Sequence, residues 1–177
     1  MDAPAAARPE DTLRVAAVGA SLSLIAPIRV GLGAVVLAAA LALGGTPRSV
    51  VGGFVLGAAF LAFAALADRR ALLSRAAGEP SPLPPGARRE PWWRMAARAA
   101  LPSTVTVTAL AAVTLATGNL VLGAILGGAV AGMGLAAGVT RVRVAAWESG
   151  SGLRLYVEQG GAGRRYVEPR GVREPTA

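Results

Sequence analysis

The sequence predicts an all-α integral membrane protein: four transmembrane helices arranged as two hairpins with short interfacial helices, plus a small C-terminal cytoplasmic β-meander. Three observations predict it. The 177-residue chain is 54% hydrophobic and only 16% charged, with a mean hydropathy of +0.53, whereas soluble domains carry about 25% charged residues. Its apolar residues come in blocks that match spans of ~20 residues. Its arginines cluster between alternate blocks, the pattern that membrane topology imposes.

Residues 1–14 are polar and mixed in charge, and read as a disordered arm. Asp2, Glu10 and Asp11 make a poor secretory n-region, so no cleaved signal peptide is expected. Residues 15–67 form the first membrane unit. The apolar run 15–47 is too long for one span, and Pro27 divides it. Residues 15–26 read as an interfacial helix, lying on the membrane or partly buried in it. Residues 28–45 read as the first span, with Arg29 near its cytoplasmic mouth. "GGTPRS" (44–49) is a tight turn, and 50–67 is the second span, stopped by Asp68-Arg69-Arg70. Residues 68–91 begin with a helical remnant. They continue as an Arg- and Pro-rich cytoplasmic linker without fixed structure.

Residues 92–140 repeat this plan. Residues 92–100 read as a second interfacial helix, with Trp92 and Trp93 at head-group depth and Arg94 and Arg98 toward the phosphates. The third span is 101–116, "TGN" (117–119) turns the chain, and the fourth span is 120–139. Within 141–169, "VRVAAW", "LRLYVE" and "RRYVE" alternate like strands, separated by "ESGSG" and "QGGAG". So small a β appendage is expected to lean on the membrane domain or on a partner. Residues 170–177 read as a flexible tail.

Four spans put the N-terminus, the middle segment and the C-terminus on one side. The charges agree: the arm carries Arg8 and Arg14, 68–98 carries seven arginines, and 141–177 carries seven more. The opposite loops carry Arg48 alone. The expected location is therefore the bacterial plasma membrane, multi-pass, with both termini cytoplasmic; the Ala/Arg/Gly bias suggests a GC-rich bacterial genome. A weak internal repeat accompanies this plan. Each half runs surface helix, proline (Pro27, Pro102), span, tight turn and Gly-rich span.

The fourth span is the least expected as a helix. "GAILGGAVAGMG" holds five glycines in twelve positions, each costing about 1 kcal/mol relative to alanine in a water-exposed helix. In a bilayer there is no hydrophobic incentive for helices to associate, and small residues four apart let backbones approach closely instead. Gly123 and Gly127, Gly128 and Gly132, and Gly134 and Gly138 have that spacing, as do Gly53 and Gly57 in the second span. They are read first as packing positions inside one bundle, and second as a face for another protomer or a partner's helix.

The chain has no Cys, His or Lys, its 18 basic residues all being Arg. The commonest general base, the commonest metal ligands, the thiolate nucleophile and the Schiff-base amine are thereby excluded. No catalytic residue, metal site or cofactor is expected. The net charge of +8 fits anionic lipid better than nucleic acid, because no nucleic-acid motif accompanies it. Arg29 is the one charged residue in a span. It is read as snorkelling to the interface, with an anion or lipid head group as the alternative contact. Thr104 and Thr108 share a helical face of the third span. Their hydroxyls are expected to bond to preceding carbonyls, or else to line a polar path. These features predict a non-catalytic accessory, assembly or scaffold subunit whose partners are the bilayer and another membrane protein or a second copy. The alternatives are a small oligomeric transporter or channel lined by the third span, and a lipid-active membrane enzyme.

Overall fold

The computed structural model describes residues 13–75, 81–158 and 164–169. Its elements are β1 (Arg14–Ala17), α1 (Val18–Ala42), α2 (Pro47–Arg75), β2 (Ser81–Pro82), β3 (Arg88–Arg89), α3 (Trp92–Ala116), α4 (Leu120–Ser151), β4 (Leu153–Glu158) and β5 (Arg165–Pro169). All four helices are long and apolar enough to cross a membrane. The arm 1–12 and the tail 170–177 lie outside the described residues.

The two expected interfacial helices do not exist as separate elements. Residues 18–26 and 92–100 are the first turns of α1 and α3, which run unbroken through Pro27 and Pro102. A proline removes one backbone donor, and an apolar helix tolerates this when neighbouring groups take up the freed carbonyls. The carbonyl that Pro27 leaves without its helical partner is that of Ser23; the Ser21 and Ser23 hydroxyls donate one turn earlier, to the Val18 and Ala20 carbonyls at 2.9 and 2.7 Å.

Both hairpins turn on the same device. In the first, the Leu43, Gly44 and Gly45 amides donate to Ala39, Leu41 and Ala40 at 3.0, 3.1 and 3.1 Å. In the second, Thr117, Gly118 and Asn119 donate to Val113, Leu115 and Thr114 at 3.0, 3.0 and 2.9 Å. This is the Schellman arrangement, and it needs a left-handed residue after the cap. Gly44 (φ 92°) and Gly118 (φ 81°) supply it. Pro47 then opens α2, where its missing donor costs nothing. At the start of α4 the Asn119 side chain accepts from the Leu122 amide at 3.2 Å.

α4 is the central helix. α1 and α2 pack along it, α3 packs against α4 and α1, and α1 and α2 touch each other little. The helix also overruns its expected end. Residues 141–151, expected to open the appendage with "VRVAAW" as its first strand and "ESGSG" after it, are helical. Extending an existing helix is easier than nucleating a new element, and nothing in "RVRVAAWES" stops it. Gly152, left-handed at φ 69°, does. At 1.5 Å per residue, the 32 residues of α4 reach about 48 Å, well beyond the ~30 Å of a bilayer core.

The appendage is larger and less local than a meander. Its five strands lie in the order β2-β5-β4-β1-β3. β4 pairs antiparallel with β5 and with β1, whereas β3 joins β1, and β2 joins β5, in parallel. Arg14 thus belongs to a strand rather than to the arm. Part of the linker 68–91 is ordered too: α2 continues to Arg75, and 81–82 and 88–89 form edge strands. The recurring "YVE" places Tyr156 opposite Tyr166. Those two rings and Val15 form the sheet's small core, with Leu13, Ala17, Leu83 and Ala87 around it. The sheet gathers the segment before α1, the segment between α2 and α3, and the segment after α4 at one end of the bundle.

The halves meet through equivalent residues. Arg29 contacts Ser103, 74 positions further on, the interval that also separates Gly44 from Gly118 and the paired Arg14 and Arg88. The symmetry is incomplete, since α1 lies along α4 but α3 does not lie along α2. The positions matching Gly33 and Gly134 are Val107 and Phe60, and their bulk prevents the same close approach.

Candidate functional site

The described helices hold one buried charge, and it does not snorkel. Arg29 is only 7% exposed. Its Nε donates to Thr104 Oγ1 at 2.8 Å, and its Nη2 donates to Ser103 Oγ at 2.9 Å and to the Ala100 carbonyl at 3.4 Å. The guanidinium therefore clamps α1 to the inward face of α3. It lies fourteen residues before the cap residue Leu43, about 21 Å below the turn. A hydrocarbon layer of ~30 Å measured from the turns would enclose it by about 9 Å. At that depth a guanidinium is costly unless its donors are used, and the fork-shaped group suits two hydroxyls and a carbonyl on one helix turn.

Thr104 thus accepts from Arg29 and is itself buried, at 6% exposure. Thr108 lies one turn further along the same face, and its Oγ1 is buried without a hydrogen-bond partner. Back-bonding, expected for both, is seen instead at Ser103 and Thr114. An unsatisfied buried hydroxyl is destabilising. Thr108→Val is accordingly expected to leave the unfolding temperature in detergent unchanged or to raise stability by about 1 kcal/mol. A clear loss of stability would show that the hydroxyl has a partner in the membrane.

The glycines lie along the seams of α4. A Cβ on Gly57 would overlap the Ile125 carbonyl. One on Gly128 would overlap the Phe54 carbonyl, and one on Gly132 the Ala58 carbonyl. Gly53 is less tight, 3.2 Å from the Val121 oxygen. On the α1 side, Gly127 would meet Val36 at 2.6 Å and Gly134 would meet the Ala26 oxygen at 2.9 Å. Gly123 faces Leu115 of α3 at 2.5 Å, whereas Gly138 has room, its nearest neighbour being Ala26 at 3.9 Å. The spacing did not reveal Gly33, whose Cβ would meet the Gly127 oxygen at 2.6 Å. Gly33 pairs with no glycine four residues away, and its importance comes entirely from the opposing helix.

The residues expected at head-group depth are only partly brought together. Trp92 begins α3. Trp93 is exposed, with the Arg94 guanidinium 5.3 Å from its ring centre. Arg98 lies 3.6 Å from Glu90 Oε2, and Arg14 donates to Glu90 Oε1 at 2.9 Å. In the sheet, Arg89 donates to both Glu168 oxygens at 2.6 and 2.8 Å and lies 5.9 Å from the centre of the Tyr156 ring. Burial pushes the Tyr156 phenol above its usual range, so it stays protonated at neutral pH. Among the described residues no group of three or more His, Cys, Asp or Glu could hold a metal ion.

No family model, curated protein or solved structure matches this chain.

Proposed function

We propose that this chain is a non-catalytic, multi-pass protein of the bacterial plasma membrane that serves as an accessory, assembly or scaffold subunit. One observation carries the reading: the five-stranded sheet draws on all three arginine-rich segments and seats them as one platform on a glycine-packed bundle. In the proposed topology that end of the bundle is cytoplasmic. The platform's two edge strands are only two residues long, so most of its rim is open to a partner, another membrane protein or a second copy. The Arg29 clamp then serves to fix α3 to the bundle.

A specific observation favours one rival. Arg29, Thr104 and the unpaired Thr108 hydroxyl form a polar file along the inward face of α3, with the exposed Ser103 at its rim, as a small oligomeric transporter or channel would need. Mild-detergent purification of a C-terminally tagged chain, with mass spectrometry and light-scattering mass, separates the two. A reproducible heteromeric partner is expected. A homo-oligomer without partners, whose reconstituted ion flux falls in Thr104→Val and Thr108→Val, would overturn the subunit reading.

A further inference from the structure

A groove of about 620 Å³ runs along the outside of the bundle between α1 and α4. Pro27 and Val30 line it from α1. Its α4 wall runs from Gly134 through Gly138 and Val142 to Arg143. At Gly134 the helices meet, and a Cβ there would lie 2.9 Å from the Ala26 oxygen. One turn on, a Cβ at Gly138 would meet only the Ala26 Cβ, at 3.9 Å, which is ordinary contact. Helix packing does not demand a glycine at 138, and the volume of the missing side chain belongs to the groove. Leu135, Val139 and Val142 beside it are exposed.

Depth and charge together select an occupant. Gly134 lies fourteen residues after Leu120, and Val30 thirteen before Leu43, about 21 and 20 Å from the turns. Both are within the ~30 Å of a hydrocarbon layer measured from those turns. Arg143 lies 23 residues after Leu120, about 34 Å from the turn, at head-group depth. The groove is therefore apolar where acyl chains lie and ends on a cation where phosphates lie. Arg143 is exposed, and no ion pair among the described residues engages it. An arginine at this level extends its guanidinium toward the interface over an apolar stem, and that fork suits a phosphate. The arginine-rich end of the bundle attracts a net-negative head group and repels the amine of a zwitterionic one. A second copy is less suited, because the apolar spans 28–45, 50–67, 101–116 and 120–139 hold no carboxylate to meet Arg143.

We propose that this groove binds one anionic phospholipid, with an acyl chain against Gly138 and the phosphate on Arg143. The proposal goes beyond the subunit reading but rests on its membrane-spanning part. The site differs from the Trp93, Arg94 and Arg98 region, where no groove is seen among the described residues.

The test is native mass spectrometry of the full chain released from neutral detergent, titrated with phosphatidylglycerol or phosphatidylcholine. A saturable one-to-one adduct is expected with phosphatidylglycerol, and at least about tenfold weaker binding with phosphatidylcholine. Gly138→Leu fills the groove and should abolish the adduct. Gly52→Leu, the same change at an open position on α2, should bind as wild type. Arg143→Gln is expected to weaken phosphatidylglycerol about tenfold, the loss of one good charged contact, and to erase the preference over phosphatidylcholine. Arg141→Gln removes an equal charge two residues away and outside the groove, and should change little. If Gly138→Leu fails to fold, Arg143→Gln decides. The proposal is overturned if no saturable adduct forms, if folded Gly138→Leu binds normally, or if Arg141→Gln loses as much as Arg143→Gln. A dimer that Gly138→Leu converts to monomer would assign the groove to a second copy instead and also overturn it. Alkaline carbonate extraction of cell membranes tests the underlying reading separately. A chain that stays in the membrane yet binds no lipid overturns the site alone, and a chain that is released overturns both.

Discussion

Gly128→Leu is expected to abolish the folded bundle. A Cβ at this position already overlaps the Phe54 carbonyl, so no rotamer of a larger side chain avoids the collision, and the obstacle is backbone rather than a movable side chain. α2 and α4 would have to separate, and with them the contacts at Gly57 and Gly132, which are equally close. Gly128→Ala alone should cost about 3 kcal/mol, the upper end for overpacking. Leucine should remove a seam that makes up much of a total stability of about 5–15 kcal/mol. The matched control is Gly52→Ala. Gly52 is a neighbouring helix glycine with nothing within 4 Å of its Cβ position, so alanine there should be neutral or stabilising by up to about 1 kcal/mol. Thermal unfolding and gel-filtration profiles in mild detergent would decide. A monodisperse Gly128→Leu protein melting at the wild-type temperature would show that α2 and α4 do not meet as described.

Arg29→Ala should have the next largest effect. It removes the bonds to Thr104 and Ser103 and empties the space between α1 and α3. Single hydrogen bonds to charged groups contribute about 1.5–3 kcal/mol in proteins generally, but side-chain bonds within bilayers average only ~0.6 kcal/mol. With the cavity included, a loss of about 2–4 kcal/mol is expected. Arg29→Met is the informative partner. It refills the volume and leaves both hydroxyls free to bond to their own helix, and an apolar replacement of a buried charge is often tolerated. If Met restores most of the unfolding temperature that Ala loses, the clamp works by packing. If Met is as damaging as Ala, the charge itself is required. An Ala variant as stable as wild type would mean that the clamp contributes nothing.

Much of this architecture could be read from the residues. The hairpin turns were marked by "GGTPRS" and "TGN", in which Gly44 and Gly118 occupy the left-handed positions. The α2–α4 seam was marked by glycines four apart. What escaped has physical causes. Pro27 and Pro102 looked like boundaries because proline usually breaks a helix in water, yet α1 and α3 continue through them. "VRVAAW" alternates like a strand, but it follows directly on α4, and continuation won. Ser81–Pro82 and Arg88–Arg89 are too short to carry any alternation; they are strands only because the neighbouring strands β5 and β1 offer free edges. Arg29's partners are on another helix, and spacing along a sequence does not report what a side chain meets across a bundle.

The pairing of β1 with β4 also orders events during synthesis. β1 leaves the ribosome before the four helices, and β4 only after them. β2, made midway, has to wait for β5, whereas β3 can already pair with β1. Contacts so distant along the chain form slowly, and the β1–β4 pairing cannot form until all four helices have been made. The apolar hairpins can enter the bilayer one after the other while the platform beneath them remains open. Its closure therefore marks a chain that has been made through β5, and a chain terminated before β4 would keep unpaired strand edges that quality-control proteases and chaperones can recognise.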